Sequence, residues 1–379
     1  MYQSVESYRN QRNYNCRIRE VVYQGVRQVN LENEYLHIGV LAGKGSDIFE
    51  FVYKPMDLDF MWHSFHGVKN PQTFVTTKNS RYGRFLDLYE GGWQELFPNY
   101  GAASTYMNAE LGIHGEVCVA QWDYQIEKDT EEEITVKFEI RTAKTPFYLE
   151  KWMTLKSGDP TLYIRERVTN EGAVPLQFMW GHHPALGAPF LDGNCEIIIN
   201  GDCKVHTLNI QSALPANRQM DWPVVKDVNG NDLDLSRVRN PGEKKYLEYG
   251  ISGIEDSRYC VWNHGLHIGF GMEWEKDMFP YLWIWEPNCA AQGYPWYGRN
   301  YTLGCEPWSV LAESMEEVER EDAGIKIEAG MSIETHLKAY VCLEYHSGAP
   351  LKIERNEVWQ HVCDWTGCGD DWDKGSADR

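Results

Sequence analysis

Four clusters of polar residues interrupt an otherwise aromatic and apolar chain of 379 residues. The first runs from Gly91 to Asn99 and reads as a glycine-broken loop carrying Gln94, Glu95 and Asn99. The second, Leu111 to Glu116, contains His114 followed by Gly115. The third, Met179 to Gly187, contains His182 and His183. The fourth is a pair of Glu-Pro steps, Glu286-Pro287 and Glu306-Pro307, bracketing the run from Gly293 to Arg299. Imidazole titrates closest to neutrality of all ordinary side chains. A carboxylate in apolar surroundings needs a partner or a raised pKa, and Glu306 lies between Leu303-Gly304-Cys305 and Pro307-Trp308. One imidazole and one carboxyl group in the same pocket can take a proton from one oxygen while giving one to another. Ring opening of a cyclic hemiacetal is a reaction of that kind, and Glu286 is the competing carboxylate.

Strands must carry these groups, because alternation of period two dominates the chain. Ile134 to Ile140 and Phe147 to Leu155 alternate cleanly, with a turn at Ser157 to Pro160. In the next strand Leu162, Ile164, Glu166 and Val168 share one face, and Tyr163, Arg165 and Arg167 the other. Val174, Leu176, Phe178 and Trp180 predict a fourth strand, and Ile333 to Leu343 a late one. Short turns between successive strands imply antiparallel hairpins, hence a sandwich or barrel. Adjacent His182 and His183 on a strand point to opposite faces, so at most one of them enters a given pocket. Arg165 and Arg167 read as cross-strand surface partners of nearby glutamates. Residues 309–319 predict a helix with Ser309 as N-cap, and residues 225–242 a long surface loop.

Lys and Arg total 36 against 56 Asp and Glu, a formal charge of −20. Such a surface repels phosphate backbones and anionic lipid, which argues against nucleic-acid or membrane partners. No stretch approaches the roughly 20 apolar residues of a membrane span, and residues 1–20 lack the apolar core of a signal peptide. Ten scattered cysteines without a CxxC pair predict reduced thiols and a cytoplasmic location. His361, Cys363 and Cys368 lack a second ligand pair, so no metal site is predicted. Most of the 15 Trp, 22 Tyr and 13 Phe read as core, and a surplus clustered near the polar motifs would mark a sugar site. Flat apolar faces with polar edges suit sugars.

His114-Gly115, His183-Pro184-Ala185-Leu186-Gly187 and Gly304-Cys305-Glu306-Pro307 resemble, in this order, the three signature regions of aldose 1-epimerases, the galactose mutarotase-like proteins. Phe279 to Trp285 and Gly293 to Arg299 resemble the divergent, bacterial-type branch of that superfamily. The similarity spans residues 30–345, leaving extensions at 1–29 and 346–379. It implies an all-β fold, a β-supersandwich of antiparallel strands with few short helices. It also implies a cofactor-free, metal-free mutarotase for a monosaccharide, with His183 as acid and Glu306 as base. His114, Asn99, His182, Glu286, Arg299, Trp285 and Trp296 would then surround the sugar. The chain departs from the family in two places. The aromatic run after the catalytic His is reduced to Pro184-Ala185-Leu186-Gly187, and an early family Arg has only Arg84 or the Asn99 loop as stand-ins. A phosphorylated or acidic sugar would need basic groups such as Arg299, Arg81 and Arg84. A non-catalytic sugar-binding protein would need neither His183 nor Glu306.

Overall fold

The computed structural model of the protein describes residues 12–75, 83–210 and 212–343. Among them, two large antiparallel sheets face each other. The first has twelve strands, and its middle is formed by five neighbours: Trp93–Leu96, Gly181–Leu186, Leu303–Trp308, Tyr281–Glu286 and Leu247–Ser252. The second has eight strands, ordered Cys195–Ile198, Arg258–Asn263, Ile268–Trp274, Ser332–Cys342, Thr161–Asn170, Phe147–Lys156, Glu133–Arg141 and Asp123–Asp129. The alternation explains the layering. Ile134, Val136 and Phe138 are fully buried, as are Leu162 and Val168, whereas Lys137, Tyr163 and Arg165 are half-buried on the opposite face. Aromatic rings from the two sheets meet edge to face, Phe51 against Phe270 at 5.2 Å and Phe97 against Phe147 at 5.0 Å. On the outer face of the second sheet Arg165 and Arg167 pair with Glu334 and lie over Trp152, the cross-strand arrangement expected for them.

The first sheet begins at Arg17, since Arg17–Tyr23 pairs along its whole length with Val26–Glu32. Four local expectations need correction. The stretch after Gly172 forms only the short strand Leu176–Phe178, paired with Ile325–Ile327, and Val174 is exposed. The helix is Met315–Glu321, capped by Ser314, whose hydroxyl accepts from the Glu317 amide. Ser309 instead bridges to Trp180, donating its amide to the Trp180 carbonyl and accepting the Trp180 amide on its hydroxyl. The two α-helices among the described residues are this one and Gly83–Leu88. Residues 225–242 are not a plain surface loop. They contain the hairpin Val224–Lys226 with Asp232–Asp234, and they bury Leu233, Leu235, Val238 and Arg239. Finally, Trp93–Leu96 in the first polar cluster is a buried central strand, not a loop. Residues 346–379, with His361, Cys363 and Cys368, lie outside the described residues, as does Arg81.

Between the sheets lies a charged layer. Lys151 pairs with Glu95 at 3.1 Å, and both are almost fully buried. Removing one member of such a pair leaves a buried charge without its counter-ion. Lys151→Met is therefore expected to destabilise the fold by about 3 kcal/mol, read as a lower urea midpoint. An unchanged midpoint would show that Glu95 becomes neutral there at no cost.

Candidate functional site

The central five strands set the site by register. Gly181 pairs with Trp308 and Ala185 with Gly304, which places His183 directly opposite Glu306. His183 pairs on its other side with Gln94, and Glu306 with Trp283. One row along, Gly304 pairs with Trp285, and Trp285 with Glu248. All of these residues share the face of the first sheet that points away from the second. Glu306 is brought against His183, with Oε1 3.4 Å from Nε2. The carboxyl group folds over Gly304, where a Cβ would collide with Oε1, so this position admits only glycine while Glu306 keeps its orientation.

His114 joins them from a loop. Its ring centroid lies 5.5 Å from that of His183 and its Nδ1 is buried without a hydrogen-bond partner. His114 and Gly115 both adopt the left-handed conformation, φ 62° and 79°. A side chain at Gly115 would strike the Phe97 carbonyl, against which the loop closes. A histidine held at positive φ stores strain of about 1 kcal/mol or more, a pattern found at functional positions. The walls are aromatic. Trp285 and Tyr89 approach the His183 ring at 5.5 and 5.6 Å, and Trp296 reaches Trp285, Trp62 and Tyr89 at 5.7 to 5.9 Å.

Burial governs the electrostatics here. It pushes the Glu306 carboxyl well above its usual range, and the nearby Glu248 charge pushes in the same direction. It lowers His183 to about 4 and takes His114 well below its ordinary value, with His183 adding to the latter effect. Glu248 and Glu313 are also raised by burial, and Tyr246 donates its hydroxyl to Glu248. The buried cations among the described residues are all engaged elsewhere: Lys44 with Asp47 and Glu90, Lys151 with Glu95, and Arg239 with Glu286.

The remaining expected residues divide clearly. Trp285 and Trp296 line the pocket with His183. His182 does not, because it faces the space between the sheets, as strand parity requires. There its Nδ1 accepts from the Trp93 indole at 3.2 Å and its Nε2 meets Glu166 at 3.0 Å. Glu286 is likewise on the inner side of its strand, bonded to the Arg239 amide at 2.8 Å and to its guanidinium. The hairpin segment that reads as a loop in sequence supplies that arginine. Asn99 is buried and donates its amide to the Ala102 and Gly112 carbonyls, bracing the His114 loop. Arg299 is exposed, its guanidinium 3.5 Å from the Phe65 ring centroid. Arg84 bonds weakly to the Pro71 carbonyl at 3.4 Å. No cluster of three metal-ligating side chains occurs among the described residues. Tyr89, Glu248 and Tyr246 escape the sequence reading, since none of them sits in a motif.

This architecture is the galactose mutarotase-like fold. The chain belongs to the DUF4432 family, a domain of unknown function, whose profile matches residues 23–341. No curated protein matches it at the sequence level. Among solved structures it resembles a putative aldose 1-epimerase from Klebsiella pneumoniae, with TM-score 0.66 and 15% identity over 86% of this chain and 83% of that one. It also resembles a galactose mutarotase-like protein from Lactobacillus casei, with TM-score 0.57 and 16% identity over 83% and 99% of the two chains. A galactose mutarotase related enzyme from Lactobacillus acidophilus matches at TM-score 0.58 and 16% identity, covering 83% and 97%. At these identities the likeness establishes the fold. No helix among the described residues is long and apolar enough to cross a membrane.

The burial effects have a direct readout. His183 should stay neutral until about pH 4, observable as a late chemical-shift transition of its ring protons that is missing from His183→Gln. Because the unfolded chain takes up this proton near pH 6.5, the sign is fixed. Stability from this group is full above pH 6.5 and falls as the pH drops toward 4. A transition of His183 near 6.5 in the folded protein would contradict the description.

Proposed function

We propose that this chain is a cofactor-independent aldose 1-epimerase that interconverts the anomers of a neutral monosaccharide. The observation that carries the proposal is the contact between His183 and Glu306, opposed across neighbouring strands in a tryptophan-walled, desolvated pocket. Desolvation favours the uncharged state of the pair, a neutral imidazole beside a protonated carboxyl group. In that state Glu306 gives its proton to the ring oxygen while His183 Nε2 takes the proton of the anomeric hydroxyl. The C1–O5 bond breaks, C1 becomes the aldehyde carbon, and rotation about C1–C2 presents its other face. Reclosure returns both protons by the reverse transfers, with the two groups exchanging roles. The resting roles are therefore opposite to those implied by the family resemblance, because burial moves the two pKa values in opposite directions. His114, oriented by its strained loop, offers a further polar atom to the sugar.

A neutral substrate fits the charges of the wall. Glu248 and Glu306 contribute carboxyl groups, Glu313 adds negative charge close to Glu248, the buried cations are engaged, and Arg299 lies exposed on Phe65. A reducing, cytoplasmic setting suits the eight free cysteines among the described residues.

Polarimetry on a freshly dissolved single anomer tests the proposal. Glu306→Gln and His183→Ala should each lower the rate by about 10²–10⁴-fold while the fold is retained. His182→Ala should reduce stability and leave the rate of the folded enzyme near wild type. Arg299→Ala should leave a neutral aldose unaffected. If His182→Ala abolished the rate and His183→Ala did not, the assignment of the two strand faces would be wrong.

A further inference from the structure

We infer that Tyr89 is a positioning residue for this pair, holding the ring hydrogen of His183 on Nδ1 so that Nε2 can carry the moving proton. The inference rests on the acid/base reading above. In the His183 ring Nε2 faces Glu306 and Nδ1 faces the Tyr89 hydroxyl, both at 3.4 Å, and the ring also meets its own backbone. Trp285, His114 and the Tyr89 ring itself approach the imidazole as aromatic surfaces. Among the described residues the Tyr89 hydroxyl bonds to nothing else. Its ring is wedged between Phe85, at 4.8 Å and nearly parallel, and Trp62 at 5.7 Å.

A neutral imidazole carries one ring hydrogen. If that hydrogen is on Nε2, the nitrogen has no lone pair and cannot accept the anomeric proton. The Tyr89 hydroxyl can donate to Nδ1 or accept from it; accepting, it keeps the hydrogen on Nδ1, because the partner of one ring nitrogen decides the state of the other. The phenol oxygen can accept that bond while its own hydrogen remains available to a sugar hydroxyl. His182 shows the converse. The Trp93 indole can only donate, so Nδ1 of His182 is the acceptor and its hydrogen sits on Nε2, toward Glu166. Two consecutive histidines on one strand thus carry opposite tautomers, each written by the group facing Nδ1.

Long-range proton–nitrogen correlation spectra of the full-length, 15N-labelled protein read both rings without any sugar, with His183→Gln and His182→Gln providing the assignments. The expected wild-type result is a hydrogen-bearing Nδ1 in His183 and a hydrogen-bearing Nε2 in His182. Tyr89→Phe should shift His183 toward the Nε2 tautomer or a mixture, leave His182 unchanged, and lower kcat about 10–100-fold with little change in KM. An Nε2 hydrogen or a mixed tautomer on His183 in the wild type would overturn the inference. So would a His183 pattern unchanged in Tyr89→Phe. Should that variant also disturb His182, the wild-type tautomer alone decides. The expected tautomers without anomer exchange on any sugar would refute the epimerase reading and leave the Tyr89 contact standing.

Discussion

The structure depends on the parity of one strand, Gly181–Leu186. Every residue in it is buried, so each side chain must satisfy the surroundings of whichever face it reaches. Odd positions reach the pocket and even positions reach the space between the sheets. Consecutive histidines therefore enter unrelated environments. A slip of one residue would exchange them, placing His183 beside Glu166 and His182 beside Glu306. Cross-strand pairing on both edges opposes such a slip, with Leu96 and Trp308 flanking Gly181 on the two sides.

Each face holds ionisable groups, and burial acts on them differently. Beneath the strand, Lys151, Glu95, Glu166 and His182 form a layer in which charges have partners. Burial still raises Glu166 to about 7 and lowers His182 to about 3. In the pocket the carboxyl group of Glu306 has the neutral imidazole of His183 opposite it, the Trp308 indole beside it and a second acid, Glu248, nearby. The inner layer fixes the strand, and the outer pair is the one proposed to move a proton. Buried groups without full compensation reduce stability, which is a cost expected where chemistry is done.

Much of this was legible in the sequence because it follows from period two. The Ile134 and Leu162 strands, the split of His182 from His183 and the surface role of Arg165 and Arg167 all come from counting alternate residues. The choice of Glu306 over Glu286 comes instead from the signature-like run Gly304 to Pro307 and its late position, and strand parity separates the two carboxylates only in the structure. Glu286 has the parity of the core, and Arg239 neutralises it from a segment whose Asp, Asn and Gly content suggests only a loop. What stayed hidden depends on contacts distant in sequence. Tyr89 lies 94 positions from the imidazole it faces, and no local pattern marks it. Ser309 was mistaken for a cap because its hydroxyl serves the distant Trp180 backbone, whereas the Ser314 to Glu317 spacing carries the local capping signal. Asn99, expected at the sugar, gives its amide nitrogen to the loop that presents His114 and leaves Oδ1 buried without a partner.

The central claim is that His183 and Glu306 act as one proton-transfer unit on a sugar hemiacetal. Magnetisation exchange between the two anomeric protons of an equilibrated aldose tests this most directly. It would be recorded for neutral, acidic and phosphorylated aldoses with the wild type and with the His183→Ala/Glu306→Gln double variant. Because residues acting as a unit are not additive, exchange with neutral sugars should be accelerated by the wild type and lost in the double variant to the same degree as in either single one. Losses that multiply would show two independent groups. Equal exchange with and without the wild-type protein, across every sugar, would contradict the account.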